Sequence, residues 1–315
     1  MTTGLTNAST QATLDATLTI ALAVASKAAY DYYQGLPFQS PDGYQQIDAW
    51  TGWDAFLISG SEEKYGLVFQ SIADPGTLIF AFRGTDSDMD IYEDIRFLTT
   101  EFVPSSGTVA PTPHVASGFY SIYDDKGGSM TQSMRQQLFA LLAKYTPSEL
   151  YVTGHSLGAA LSQLFSLDLA ISQPMNTVNI NFSSPMVGTL DWQTAYNATI
   201  PAANSIRVYN YWDYVPTLPP SDLGFHAVGS AFQTAFYVKG EWFPHELSRH
   251  SVVNLTTVLS HALPANPQQW VGQFPDYIQP KWTMLSKLPP AGGDVSWVDK
   301  IGEHMRFERT LEAAA

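Results

Sequence analysis

The chain has 315 residues, 45% hydrophobic and 14% charged, with 15 Lys+Arg against 29 Asp+Glu and a formal net charge of −14. This is the composition of a folded chain with a sizeable core, not of a disordered or fibrous one. The acidic balance removes the basic footprint of a nucleic-acid binder, and the absence of cysteine excludes a disulfide framework, a thiolate nucleophile and cysteine-ligated metal sites.

Residues 1–12 are polar and are expected to form a flexible tail. An Ala-rich run from about Thr13 to Tyr33 predicts a core helix. Its most apolar part, Leu18 to Ala29, contains Lys27 and is too short to cross hydrocarbon, which takes about 20 apolar residues. Met1 to Ala16 carries only Asp15 as a charge, so the positive start of a secretory signal is missing. No transmembrane segment and no signal peptide are expected, and the compartment stays open between the cytoplasm and export by another route.

Short apolar runs of β character follow at Asp54–Ser59, Tyr65–Phe69, Thr77–Phe82, Leu150–Thr153, Val178–Phe182, Ile206–Tyr209 and Thr234–Val238. Between them, Met130, Met134, Leu138, Leu141, Leu142 and Tyr145 recur at helical spacing up to Pro147, and Leu157, Leu161 and Leu164 mark a second buried helix face. Strands alternating with helices predict an α/β chain with a mostly parallel central sheet covered by helices. The Pro-rich stretches Val103–Pro113, Val215–Ser221 and Leu263–Pro280 read as ordered loops. One domain is expected over residues 13–312, with a Trp/Pro-rich C-terminal extension from about residue 263. Ala313 to Ala315 are set aside as a cloning remnant.

The sharpest chemical signal is Gly154-His155-Ser156-Leu157-Gly158, directly after an apolar strand and directly before an amphipathic helix. A Gly-x-Ser-x-Gly turn holds its serine in a strained conformation at the end of a sheet, and side chains at the two glycine positions would strike neighbouring backbone. Ser156 then sits beside the positive end of the helix dipole, and the Leu157 N–H can hold an oxyanion. A serine nucleophile needs a base and an acid to orient it. Asp213, which follows the apolar run Ile206–Tyr209 past its C-terminal end, stands where open α/β sheets gather catalytic groups. His226, His245, His250 and His261 follow it, and spacing alone does not rank them.

Several stretches together carry a family likeness: Phe82-Arg83-Gly84-Thr85, Gly118-Phe119, the Ser156 motif, Pro185-Met186-Val187-Gly188, and Asp213-Tyr214-Val215-Pro216 followed by Leu218-Pro219-Pro220. In this order the chain resembles the class 3 lipases of the α/β-hydrolase superfamily, which include fungal-type triacylglycerol lipases and some feruloyl esterases. The resemblance implies an α/β-hydrolase fold with a short lid, and a Ser-His-Asp triad of Ser156, Asp213 and His250. It places the oxyanion hole at Thr85 and Leu157. His250 is favoured because it opens His250-Ser251, as the family's base often opens a His-Ser stretch. The Asp213-to-His250 spacing is shorter than in fungal members, which keeps His261, and more weakly His245, as rivals. His226 matches the family's structural histidine, and Arg83 reads as structural. Ala116 stands where many members carry a histidine.

The stretch after Thr85 falls at the family's lid. Asp86, Asp88, Asp90 and Glu93 give it an acidic side, and Met89, Ile91, Tyr92 and Ile95 an apolar one. The implied activity is that of a serine ester hydrolase, foremost a lipase cleaving triacylglycerol or related lipid esters through an acyl-enzyme. The alternatives are a feruloyl or short-chain esterase and an acyltransferase or phospholipase with the same triad. The partners expected are an ester substrate and a transient lipid–water interface. No nucleic acid, cofactor or metal is called for.

Overall fold

In the computed structural model the residues described are 12, 14–54, 60–85, 98–210, 213, 215–219, 221–234, 236–238, 245–262 and 278–280. The first helix, α1 (Ala16–Gln34), starts where the Asp15 carboxylate accepts the Leu18 N–H at 2.7 Å, which satisfies one of the free donors of the first turn. It buries Leu22, Ala23, Ala25, Ala28 and Ala29. Ala12, ahead of it, donates its N–H to the Ala231 carbonyl at 3.1 Å.

The chain then runs through β1 (Tyr44–Asp54), β2 (Ser61–Ser71), β3 (Thr77–Phe82), β4 (Thr99–Glu101), β5 (His114–Ala116), α2 (Ser117–Asp124), α3 (Met134–Tyr145), β6 (Glu149–Gly154) and α4 (Leu157–Ser172). After these come β7 (Thr177–Phe182), β8 (Gly188–Thr189), α5 (Leu190–Thr199), β9 (Ser205–Asn210), β10 (Phe225–His226) and β11 (Ser230–Thr234). The last elements are β12 (Phe236–Val238), α6 (His245–His250), α7 (Val252–Ala262) and β13 (Ile278–Pro280).

Seven strands form the main sheet in the order β1-β2-β3-β6-β7-β9-β11. β1, β2 and β3 pair antiparallel, and from β3 to β11 every pairing is parallel. All six residues of β3 are buried, as befits a parallel strand covered on both faces. On one face Trp50, Phe80, Phe82 and Phe165 form an aromatic cluster with ring centroids 4.8–6.0 Å apart. Such pairs add roughly 0.5–1.5 kcal/mol each beyond their buried area. The other face packs against Leu22 and Ala25 of α1 and Leu255 and Leu259 of α7. A smaller antiparallel sheet, β10-β8-β5-β4, lies apart from the main one.

The mostly parallel sheet with flanking helices is the architecture expected from the sequence, and several element ends differ from expectation for identifiable reasons. α3 begins at Met134, not Met130, because Ser133 caps it. The Gln136 N–H donates to Ser133 Oγ at 3.3 Å while the Ser133 N–H donates to Gln136 Oε1 at 3.0 Å, a reciprocal capping box. β1 is a long strand where only Asp54–Ser59 was expected. Its two register shifts, at Gln46/Asp48 and Trp50/Thr51, break the alternation by which strands are read. Asp54 is its last residue, and 55–59 lie outside the described residues. The expected strand Thr234–Val238 is two strands in different sheets: β11 pairs with β9 as far as Thr234 and Asn210, and β12 pairs with β13. The Asn210 side chain ends the ladder by binding Phe236, its Oδ1 accepting the Phe236 N–H and its Nδ2 donating to the Phe236 carbonyl, both at 3.0 Å.

Candidate active site

Ser156 ends the loop between β6 and α4 with φ 59° and ψ −127°, a conformation that a non-glycine residue holds only under constraint from its surroundings. The constraint is packing. A Cβ on Gly158 would come within 2.5 Å of the Phe82 carbonyl and 2.6 Å of the Arg83 carbonyl, and one on Gly154 would overlap the Gly158 backbone. The two glycines let α4 press against the end of β3 and the start of the loop that carries Thr85. The Ser156 N–H donates to the Phe182 carbonyl at 3.0 Å, so the turn is also tied to β7.

Because β3, β6, β7 and β9 are parallel neighbours, the residues following each strand emerge at one edge. Phe82 is level with Gly154 and Val208 with Phe182, so Thr85, Ser156, Ser183 and Asp213 all lie beyond the C-terminal ends of the strands. Leu157 opens α4, and its N–H has no acceptor within the helix.

Asp213 is 2% exposed. Its Oδ1 accepts the Val215 N–H at 3.0 Å and its Oδ2 lies 2.8 Å from His250 Nδ1. A carboxylate can only accept, so the imidazole carries its proton on Nδ1 and leaves Nε2 basic in the neutral ring. His250, the last residue of α6, is brought there by Asn210, whose Nδ2 donates to the Arg249 carbonyl at 3.3 Å as well as to Phe236. Of the expected site residues, the structure therefore brings together Ser156, Leu157, Thr85, Asp213 and His250 at one sheet edge. The side chains of the rival histidines, His245 and His261, lie outside the described residues, as do the lid positions Asp86, Asp88, Met89, Ile91, Tyr92 and Glu93.

Arg83 is structural in its contacts. Its Nε donates to the Lys64 carbonyl at 2.8 Å and its Nη1 to the Gly84 carbonyl at 2.9 Å, and the guanidinium lies over the rings of Tyr33 and Tyr65 at 3.9 and 4.2 Å. Asp54 stands 3.8 Å away as its acid. His155 is buried between Tyr30 and His250: the Tyr30 hydroxyl lies 2.8 Å from its Nδ1, and its Nε2 lies 2.6 Å from the His250 carbonyl oxygen. Burial pushes the His155 pKa well below the ordinary histidine value, and the neighbouring His250 adds to the shift. Tyr30 and Asn210 carry no motif. Their only mark in the sequence is a phenol in the last turns of an Ala-rich helix and an amide at the end of a strand.

Residues 79–223 match the family model for class 3 lipase. Phospholipase A1-II 3 of Oryza sativa subsp. indica is 34% identical over 167 residues, covering 46% of this chain and 39% of that protein. The chain spans less than half the length of the curated relatives it matches. Among solved structures, the Lip2 lipase of Yarrowia lipolytica superposes with a TM-score of 0.57 at 19% identity, covering 85% of this chain and 98% of that one. A triacylglycerol lipase of Penicillium expansum gives 0.52 at 23% identity, covering 71% and 82%. Among the described residues no helix is long and apolar enough to cross a membrane. The segment 79–223, which runs from β3 through the Ser156 turn and Asp213, is thus similar to the class 3 lipases, and the chain has the fold of the α/β-hydrolase lipases it superposes on.

Proposed function

We propose that the chain is a carboxylic ester hydrolase that cleaves lipid esters through an acyl-enzyme on Ser156. The observation that carries this reading is the 2.8 Å contact of His250 Nδ1 with the buried Asp213 carboxylate, at the sheet edge that also bears the strained Ser156 turn. His250 Nε2 takes the Ser156 proton as the hydroxyl oxygen attacks the ester carbonyl, and Asp213 stabilises the imidazolium. The N–H groups of Leu157 and Thr85 hold the tetrahedral oxyanion. Collapse expels the alcohol, which receives the proton from His250. Water, deprotonated by the same histidine, then releases the carboxylic acid. The acidic and apolar stretch after Thr85 serves as the lid, and its negative charge repels the carboxylate product.

Triacylglycerol is the first substrate proposed, on the match to the class 3 lipase family and the fold shared with a triacylglycerol lipase of Penicillium expansum. Phospholipid is the second, favoured by the sequence relatives named phospholipase A1. The test is product analysis on triolein, phosphatidylcholine and a chain-length series of p-nitrophenyl esters. Fatty acid released from triolein supports the first reading, and sn-1 fatty acid from phosphatidylcholine alone supports the second. Turnover confined to feruloyl or short soluble esters contradicts both lipid readings.

A further inference from the structure

Asp213 fixes which way the His250 ring is protonated, yet that contact ties the base to β9, not to the nucleophile. The tie between base and nucleophile runs through His155, the residue immediately before Ser156. Its Nε2 is 2.6 Å from the main-chain oxygen of His250, and the two imidazole centroids are 4.4 Å apart. A carbonyl oxygen only accepts, so His155 carries its hydrogen on Nε2 and donates it. Its Nδ1 is then a lone pair, and the Tyr30 hydroxyl, 2.8 Å away, donates to it. The same hydroxyl lies beneath Gly84, where a Cβ would run into both the Tyr30 oxygen and the His155 carbonyl. One phenol from α1 thus touches the loop that carries Thr85 and the turn that carries Ser156.

We infer that Tyr30 and His155 are positioning residues that hold the main chain of His250 and the Gly84–Thr85 loop in register with Ser156. Tyr30 fixes the His155 tautomer. His155 clamps the backbone of the base to the nucleophile turn, and Gly84 permits the oxyanion loop to close over both. Burial keeps the His155 ring neutral, so no second positive charge forms beside the His250 imidazolium during turnover. Neither side chain touches the reacting atoms. Their effect is on distance, and misplacement by about 1 Å can lower a rate by about 10². The inference rests on the acyl-transfer reading proposed above.

The test compares wild type with Tyr30→Phe, His155→Leu and His155→Gln. The readouts are kcat and KM on p-nitrophenyl butyrate, the rate of labelling by a fluorophosphonate, and the histidine ring 15N shifts. Tyr30→Phe deletes a single oxygen and is expected to fold. It should lower kcat and the labelling rate about tenfold with KM nearly unchanged, and should shift the His155 tautomer. His155→Leu should lose more. His155→Gln, whose amide nitrogen reaches the position of Nε2 and can donate to the His250 carbonyl, should regain most of that loss. Folded Tyr30→Phe and His155→Leu variants with kcat within twofold of wild type would overturn the inference alone. So would a His155→Gln variant as impaired as His155→Leu. A wild-type chain that neither labels nor hydrolyses would overturn the acyl-transfer reading, and the inference with it.

Discussion

His250 Nδ1 and Asp213 Oδ2 stand 2.8 Å apart across 37 residues of chain, with the aspartate side chain 1% exposed and its other oxygen held by the Val215 N–H. The contact fixes the proton on Nδ1. Asp213→Asn keeps the shape of the side chain but can present an N–H where an acceptor is needed. The ring would then turn over to its other tautomer, with the proton on Nε2. kcat on a soluble ester is expected to fall by about 10⁴ with the fold intact. A loss below tenfold would show that this aspartate does not orient the base.

The Ser156 turn depends on a glycine at 158. The Phe82 and Arg83 carbonyls that a Cβ would approach at 2.5 and 2.6 Å are main-chain atoms at the end of β3 and just after it, and cannot swing aside as a side chain could. Gly158→Ala should therefore push α4 away from β3 and cost about 1–3 kcal/mol, read as a lower urea midpoint, together with a lower kcat. Wild-type stability and activity in this variant would mean that the close approach is not needed.

Much of this site was legible in the sequence because its chemistry is concentrated in a contiguous turn. Gly154 to Gly158 bring strand end, the serine proposed as nucleophile and helix start into five residues, and each glycine has one steric reason to be there. β3 was also legible as a short apolar run, since burial on both faces leaves it no polar alternation, and β6, β7 and β9 by the apolar residues that recur along them. Asp213 and His250 were reachable only as candidates, because the pairing of distant residues is set by where β9 ends and α6 docks. Tyr30 and Asn210 could not be found, since a phenol on an Ala-rich helix and an amide at a strand end acquire their roles from tertiary contacts. β1 escaped notice because its bulges hide the period of two, and the small antiparallel sheet because its strands are two or three residues long.

Ser183 repeats the positive φ of Ser156 at the end of the neighbouring strand, with φ 51°. Its buried hydroxyl makes no hydrogen bond among the described residues. Backbone strain of about 1–2 kcal/mol and a desolvated hydroxyl of about 1–3 kcal/mol outweigh the roughly 0.4–1 kcal/mol by which glycine favours the unfolded chain. Ser183→Gly is expected to raise stability by about 1 kcal/mol or more, with a higher urea midpoint and an unchanged m-value. A destabilised variant would show that the hydroxyl has a partner in solution.

His155 gives stability a pH dependence of defined sign. Its folded-state pKa is pushed well below the ordinary 6.5, chiefly by burial, so below about pH 6.5 the unfolded chain takes up a proton that the folded chain refuses. The contribution is complete above that pH and is lost as pH falls, by up to about 1.4 kcal/mol per pH unit. His155→Gln removes this one titration. The stability difference between wild type and variant should therefore move in the variant's favour as the pH drops from 7 to 5. Parallel stability curves over that range would place the imidazole in contact with water.

The most direct measurement is covalent labelling with a fluorophosphonate followed by peptide mapping, on wild type and on a folded Ser156→Ala variant. The label should sit on Ser156 at one equivalent per chain. The variant should take up none and lose p-nitrophenyl ester hydrolysis. Label on a different residue, or ester hydrolysis at the wild-type rate in Ser156→Ala, would contradict a serine acyl-enzyme at this sheet edge.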